Sequence, residues 1–556
     1  MEQARLIIAI VLSALVFLVW QFFFVDKEKL QKSAQKVQPP PAKEEQIKEA
    51  EPYVKEQDSA DQPKPTTSTT EILEPAKIPR RITVDTTFYR AQLTEDGAGL
   101  TSFILKKYRE NVAKDSPLQE LLPQEKSIQT ILAGFEGKSL TGLDNAVFST
   151  NLNDNKIFVN DTAQEITFYW KSDQDVVVEK TYRFSPDSYL IGLEITIKNG
   201  SDRAIQDKLF VALNGPVPSD SRVYGFEGPA ALIDEKLEEV KIKKIADKNT
   251  YSGNLKWVAL QDRYFIMSLI PDQVEPASMR LFLRQEDLVE AQYLNANSDI
   301  RPGTQYTYKY LLFFGPKSMK VLGEVGHGLG EALNFGFFDI LAKPCVWLMN
   351  TLYAAIPNYG VAIIVLTVLI KIVLWPLGSK SYKSMSEMKK IQPLMKEIRE
   401  KHKNDKKKMN EEVMGLYRTY KINPLGGCLP MVVQLPVFFA LYRMLYQAIE
   451  LRHAPFFLWI DDLSAPDRLF SFDIAIPFMQ PPYGIPVLTI IMGATMLLQQ
   501  KMSPPMGDPT QAKMMMFMPL IFTVIFINFS SGLVLYWLVN NILSIAQQYY
   551  IQKKFA

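Results

Sequence analysis

The chain has 556 residues, a formal net charge of +2, two cysteines and three histidines. Its length admits several domains, while near-neutrality gives no general attraction to nucleic acid. Cys345 and Cys428 support neither a disulfide framework nor a Cys/His zinc site, and His327, His402 and His453 stand too far apart to share a metal, so no metal or cofactor is expected.

Residues 6–25 form an apolar run broken only by Ser13 and Gln21, long enough to cross a hydrocarbon layer of about 30 Å as a helix. The run ends in the bulky "VWQFFFVDK" rather than in small residues. Residues 1–25 therefore read as an uncleaved signal anchor and not as a removed signal peptide. Residues 26–80 are rich in Lys, Glu, Gln, Pro, Ser and Thr. Such a segment buries too little apolar surface to offset its ordering entropy and reads as a flexible linker.

From 81 to 317 the texture changes. "RITVDTTFYRAQL", "EITFYW", "DVVVEKTYRF" and "YLIGLEITIKNGS" are β-branched and aromatic runs separated by turn residues, which predicts an antiparallel β-sandwich. It contains neither a phosphate loop nor a GxSxG elbow. No acid/base pair stands out among its many carboxylates, so it is taken as non-catalytic. Residues 318–360 mix aromatic and aliphatic residues with few charges. They read as an interfacial amphipathic helix leading into the first span, or else as a helix buried at the edge of the sandwich.

Apolar segments then recur at about 361–377, 425–449, 484–500, 514–529 and 532–549. The intervening loop 378–423 carries thirteen Lys and Arg against six Asp and Glu, whereas loop 450–483 carries two Arg against five acids. The positive-inside rule places the first in the cytoplasm and the second outside. Both termini are then cytoplasmic and the sandwich lies outside. Within 378–423, Met385, Met388, Ile391 and Met395 form one helical stripe; after "KHKND", Met409 and Val413 begin another. Two short helices are expected to pair along this Met-rich seam, which can adapt to varied apolar surfaces. The Gly426–Gly427 pair at the exit of the hairpin reads as a hinge.

Lys371 is the sharpest signal, because a lysine at the centre of a span costs roughly 2.5–3.5 kcal/mol on insertion scales. No carboxylate lies inside any core span. Polar residues are nevertheless present: Thr367 one turn away, Gln434, Asn528, Asn540, Asn541, Ser544 and Gln547. Lys371 therefore faces a wet inward cavity or snorkels toward the basic loop. A solute transporter with an anion site at Lys371 is a competing reading, weakened by the lack of an inverted repeat. A membrane-anchored carbohydrate enzyme is another, but it leaves the polar core unexplained.

The stretches "YKINPLGGCLPMVVQLPVFFALYRMLYQAIELRHAPFFLWIDDLSAPD", "IVLWPLGSKSYKSMSEMKKIQP", "MFMPLIFTVIFINFSSGLVLYWLVNN" and "IAQQYY" resemble the YidC/Oxa membrane protein insertase family, densely over about 355–550. The anchor, the linker, the exported domain and the patch "WVALQDRYFIMSLIP" resemble its Gram-negative form. This resemblance implies a polytopic α-helical membrane core of five helices plus the signal anchor, with a large periplasmic β-supersandwich. It also implies a hydrophilic groove open to cytosol and lipid, lined by Lys371, Thr367, Gln434, Asn528, Tyr536, Trp537, Asn540 and Ser544. Implied partners are nascent inner-membrane proteins, membrane lipids, the Sec translocon, and the ribosome through the basic loops and C-terminus. Lys371 stands where the family usually has Arg, and Trp537 where it often has Tyr. Charge is kept at the first position and a hydroxyl is lost at the second.

Overall fold

The computed structural model describes residues 79–123, 128–218, 225–284, 287–420, 429–503 and 509–555. The predicted signal anchor, nearly all of the linker and the Gly426–Gly427 hinge lie outside the described residues.

Beside a small two-stranded sheet, Ile205–Asp207 and Ser298–Ile300, residues 81–316 form two large sheets. One has five strands in the spatial order Leu118–Glu120, Leu100–Arg109, Tyr89–Thr94, Arg81–Thr86 and Lys156–Val159. The other is larger. Its centre runs through Thr250–Gln261, Phe265–Pro271, Gln305–Pro316, Leu190–Asn199 and Val176–Phe184. Period-two alternation sends one face of each strand inward: Val176, Val178, Lys180, Tyr182 and Phe184 are all buried. Tyr89 stacks on Phe103 at 4.5 Å, and Phe103 meets Phe314 of the second sheet edge-on at 5.2 Å. The sandwich is as expected except at one edge, where Arg81–Thr86 pairs in parallel with Lys156–Val159. A parallel neighbour needs a long crossover, which local alternation does not reveal.

A short helix α1 (Met319–Val325) leads to α2 (Asp339–Ala355), α3 (Tyr359–Lys401), α4 (Lys406–Thr419), α5 (Leu429–Gln447), α6 (Val487–Met502), α7 (Pro509–Phe526) and α8 (Ser531–Phe555). In α2, Ala342, Val346 and Met349 are buried against α3 and α5, while Ile340 and Trp347 are largely uncovered. The helix is thus packed on one face and apolar on the other.

The first predicted span and the first helix of the predicted hairpin are one continuous helix. α3 has 43 residues, about 65 Å of helix. It begins at Asn358, whose side chain accepts from the Val361 N–H at 3.0 Å. Pro376 and Pro393 lie inside it; each removes one backbone donor without ending the helix. Among the described residues α3 is the helix long and apolar enough to cross a membrane, and Val487–Met502 and Met515–Phe526 are shorter apolar helices.

α8 lies against α3, α5 and α6, and α6 pairs with α7. Gly378 of α3 and Gly493 of α6 permit close approach. A Cβ at Gly378 would come within 2.9 Å of the Gln547 amide, and one at Gly493 would collide with Thr523. Outward positions are apolar, among them Val373, Ile491, Phe517, Ile521 and Ile542. An apolar exterior around a core that also buries Thr367, Asn541, Ser544, Gln547 and Gln548 is unlike a water-soluble bundle.

Candidate functional site

The polar interior is built from three helices. The Lys371 Nζ of α3 donates to the Ser544 Oγ of α8 at 2.7 Å, and that hydroxyl donates to the Asn540 carbonyl at 2.7 Å. Tyr382, a residue with no obvious sequence signal, sits three turns further along α3. It is buried and packs with Met385 and Ile551 near the end of α8. Lys371 is partly buried and bonds across to a facing helix rather than reaching along its own. No carboxylate pairs with it among the described residues.

Further amides continue the network. Gln547 Nε2 donates to the Trp375 carbonyl at 3.0 Å and to Ser379 Oγ at 3.3 Å, and Asn541 donates to Thr495 at 3.3 Å. Gln548, also missed in the sequence, is fully buried and donates to Ser503. The side-chain oxygens of Gln547 and Gln548 and the Trp537 Nε1 are buried with no protein partner among the described residues. Such atoms are ordinarily satisfied by water.

Other predicted lining residues are placed differently. Gln434 of α5 donates to the Tyr536 hydroxyl at 2.7 Å. This pair lies eight residues before Ser544 on α8, about 12 Å along the axis. Trp537 meets Phe438 edge-on at 4.7 Å and packs on Phe526 at 5.1 Å, so it belongs to an aromatic cluster. Thr367 is buried and donates to its own helix at the Ile363 carbonyl. Asn528 does not join the Lys371 network. It accepts from the Gln480 N–H at 2.8 Å and donates to the Phe478 carbonyl at 2.7 Å. It precedes α8, whereas Ser544 lies well within it, so the two are separated by about 20 Å along the chain axis.

The seam of the hairpin is also redrawn. Met388, Ile391 and Met395 of α3 pack against Val413, Leu416 and Tyr417 of α4. Met385 does not line this seam. It packs with Tyr382, Ile551 and Phe555, against the end of α8. Met409 is half-buried outside the packed cluster. Asp405 accepts from the Lys408 N–H at 3.0 Å and starts α4. Arg443, a cation inside α5 that the sequence reading passed over, donates to the Phe335 carbonyl at 3.2 Å.

A large β-sandwich joined to a helical bundle with polar side chains buried in its core and an apolar exterior defines an integral membrane protein carrying a folded extramembrane domain. Residues 351–556 match the family model described as 60Kd inner membrane protein, and residues 81–348 match the YidC periplasmic domain. The chain is 40% identical to the membrane protein insertase YidC of Syntrophus aciditrophicus over 99% of both chains. It is 42% identical to that of Syntrophobacter fumaroxidans over 84% of this chain and 86% of the relative. Among solved structures it is similar to an active YidC insertase with its first transmembrane domain resolved, at 20% identity, covering 85% of this chain and 93% of that one, with a TM-score of 0.37. The chain belongs to the YidC membrane protein insertase family. It is accordingly an inner-membrane protein with a periplasmic β domain, whose partners are membrane-protein clients and lipids, and its relatives are insertases rather than enzymes.

Proposed function

We propose that this chain inserts inner-membrane proteins, and helps them fold, through a hydrophilic, positively charged groove centred on Lys371 and open to cytosol and lipid. The observation that carries this reading is the Lys371 ammonium. It sits in an otherwise apolar stretch of α3, held by the Ser544 hydroxyl and by no carboxylate among the described residues. An uncompensated cation in a hydrated hollow attracts the acidic tail of a client. The buried amide oxygens of Gln547 and Gln548 support hydration, and water there lowers the desolvation cost of the tail. The apolar segment of the client meanwhile partitions into lipid, which supplies the free energy without nucleotide hydrolysis.

In this reading α3, α5, α6, α7 and α8 are the five spans of the core, residues 1–25 are a sixth that anchors the chain, and both termini are cytoplasmic. Tyr536 and Gln434 extend the groove toward the β domain. The α3–α4 hairpin, with the Gly426–Gly427 hinge behind it, receives clients on the cytoplasmic side. Its lysines and the basic C-terminus face anionic lipid and the ribosome, and the core works alone or beside the Sec translocon.

The test is reconstitution of wild type, Lys371→Ala and Lys371→Arg in liposomes, scoring insertion of a single-span client with an acidic exported tail by protease protection of that tail. Alanine is expected to lower insertion by roughly tenfold, the scale of one charge-assisted hydrogen bond, and arginine to retain it. Alanine matching wild type would mean that Lys371 only spans the distance to polar surroundings and does not act on the client.

A further inference from the structure

A second basic site lies outside the membrane-embedded network, between the β domain and the chain leaving α5. The strand Leu100–Arg109 ends in "KKYR", and this end faces the segment 449–453 across a cleft of about 410 Å³. That is the size of a small-molecule site. Lys106, Lys107, Arg109, Arg452 and His453 line it. The only carboxyl in the lining is Glu450, which accepts from Ser318 at 3.1 Å. Burial raises its pKa, opposed by hydrogen bonding, and weakens it as a counter-charge.

The cations are only partly neutralised. Lys106 pairs with Asp85, but that carboxylate is shared with Arg90. The Lys107 ammonium lies 3.9 Å from the centre of the Phe88 ring. Arg109 donates to the Ser116 carbonyl. Arg452 donates through Nη2 to Gln119 Oε1 at 2.7 Å and to the Glu110 carbonyl, leaving its buried Nη1 with no partner among the described residues. Arg452, with Asp262 and Asp462 also close to it, together with Lys107 and Arg109 makes a cluster of donors suited to an oxyanion with several acceptor oxygens.

The position of the cleft selects the source of that anion. Glu450 follows the end of α5, and Asn350 of α2, which accepts from the Tyr359 hydroxyl at 3.4 Å, lies one turn from the uncovered Trp347. Tyr353 of α2 stacks on Tyr359, the first residue of α3, at 3.9 Å. With α3 and α5 as spans, which this step takes from the proposed architecture, the cleft stands at headgroup level on the periplasmic side. The uncovered apolar face of α2 lies in the interface beside it. We propose that this cleft binds the phosphate of an anionic phospholipid of the outer leaflet, the headgroup seated among Lys107, Arg109 and Arg452.

The experiment uses the full chain in zwitterionic micelles with a fluorophore on Val112→Cys, an exposed position lining the cleft. Short-chain phosphatidylglycerol, short-chain phosphatidylcholine and inorganic phosphate are each titrated. Phosphatidylglycerol is expected to saturate the signal and to bind about tenfold more tightly than phosphatidylcholine. The Lys107→Gln/Arg109→Gln double variant, with its circular dichroism unchanged, is expected to lose that preference, and Lys371→Ala to keep it. Equal binding of the two lipids, or a preference that survives in the double variant, would overturn the site. Inorganic phosphate binding as tightly as phosphatidylglycerol would overturn the lipid as its source.

Discussion

At the scale of single residues, two lysines stand away from bulk water in different ways. Lys371 meets a hydroxyl and polar neighbours inside the bundle. Lys180 is fully buried in the sandwich, where its Nζ donates to the carbonyls of Ile131 at 2.7 Å and Gly97 at 3.0 Å, with Tyr182 bonded to the carbonyl of Ala98 beside it. Gly97, Ala98 and Ile131 all have positive φ, so the ammonium gathers backbone carbonyls that no strand ladder could satisfy. Burial pushes the pKa of Lys180 down to about 7. Between that value and the ordinary 10.5 the unfolded chain holds a proton that the folded chain does not, so stability rises with pH across this window. The rise has a ceiling on the order of 5 kcal/mol. Lys180→Met is expected to flatten it. Urea midpoints of the sandwich, followed by far-ultraviolet circular dichroism of the full chain from pH 7 to 10, test this, and parallel slopes in both proteins would refute it. Lys180 was passed over in the sequence, although the alternation of "VVVEKTYRF" gives it the inward place between Val178 and Tyr182. Its partners were not legible there, because they come from loops more than 40 residues away.

At the scale of elements, the ends of helices are fixed by side chains from distant loops. Asp467 is buried and accepts from the Leu488 N–H of α6 at 2.5 Å and from Trp459 Nε1 at 2.6 Å. It thereby satisfies a donor at the positive end of α6. Asp467→Ala removes that acceptor and strands the indole N–H, at an expected cost of about 1–3 kcal/mol. Hydrogen exchange over residues 487–492 is expected to accelerate while exchange in α3 stays unchanged; uniform acceleration would instead mean global loosening. Period and length revealed where the helices lie, because apolar runs and a Met stripe follow from local spacing. They did not reveal that α3 passes through Pro376 without a break, since tolerance of proline depends on what packs around it. Nor did the stripe show that Met385 meets Ile551 while Met388 meets α4. Helical spacing defines a face but not which neighbour covers each turn of it. Asn528 was misplaced for a related reason: proximity to the last span in sequence says nothing about depth along it.

At the scale of the whole molecule, the described β domain and bundle are joined by arginines that stop at backbone carbonyls. The patch "WVALQDRYFIMSLIP" was recognisable in the sequence, yet what it touches was not, because Tyr446 lies 183 residues further on. Arg263 Nε donates to the Tyr446 carbonyl at 2.6 Å, and its guanidinium lies 3.6 Å from the centre of the Tyr446 ring. Tyr446 is in the last turn of α5, where unsatisfied carbonyls concentrate negative potential. One side chain from the β domain thus caps a helix of the core and stacks on it. A charged hydrogen bond and a cation–π contact together amount to roughly 2–5 kcal/mol, alongside the Arg452 bonds to Gln119 and Glu110 across the same junction. Arg263→Ala is therefore expected to loosen the β domain from the core while leaving each folded. Spin labels at the exposed positions Val274 and Leu458 would report this as a broadened distance distribution, with unchanged circular dichroism. Arg263→Lys is expected to restore only part of the narrow distribution, because an ammonium can reach the carbonyl but cannot stack as a plane on the tyrosine. A distribution as narrow in the alanine variant as in wild type would show that apolar packing of α2 against α5 holds the junction without the arginine.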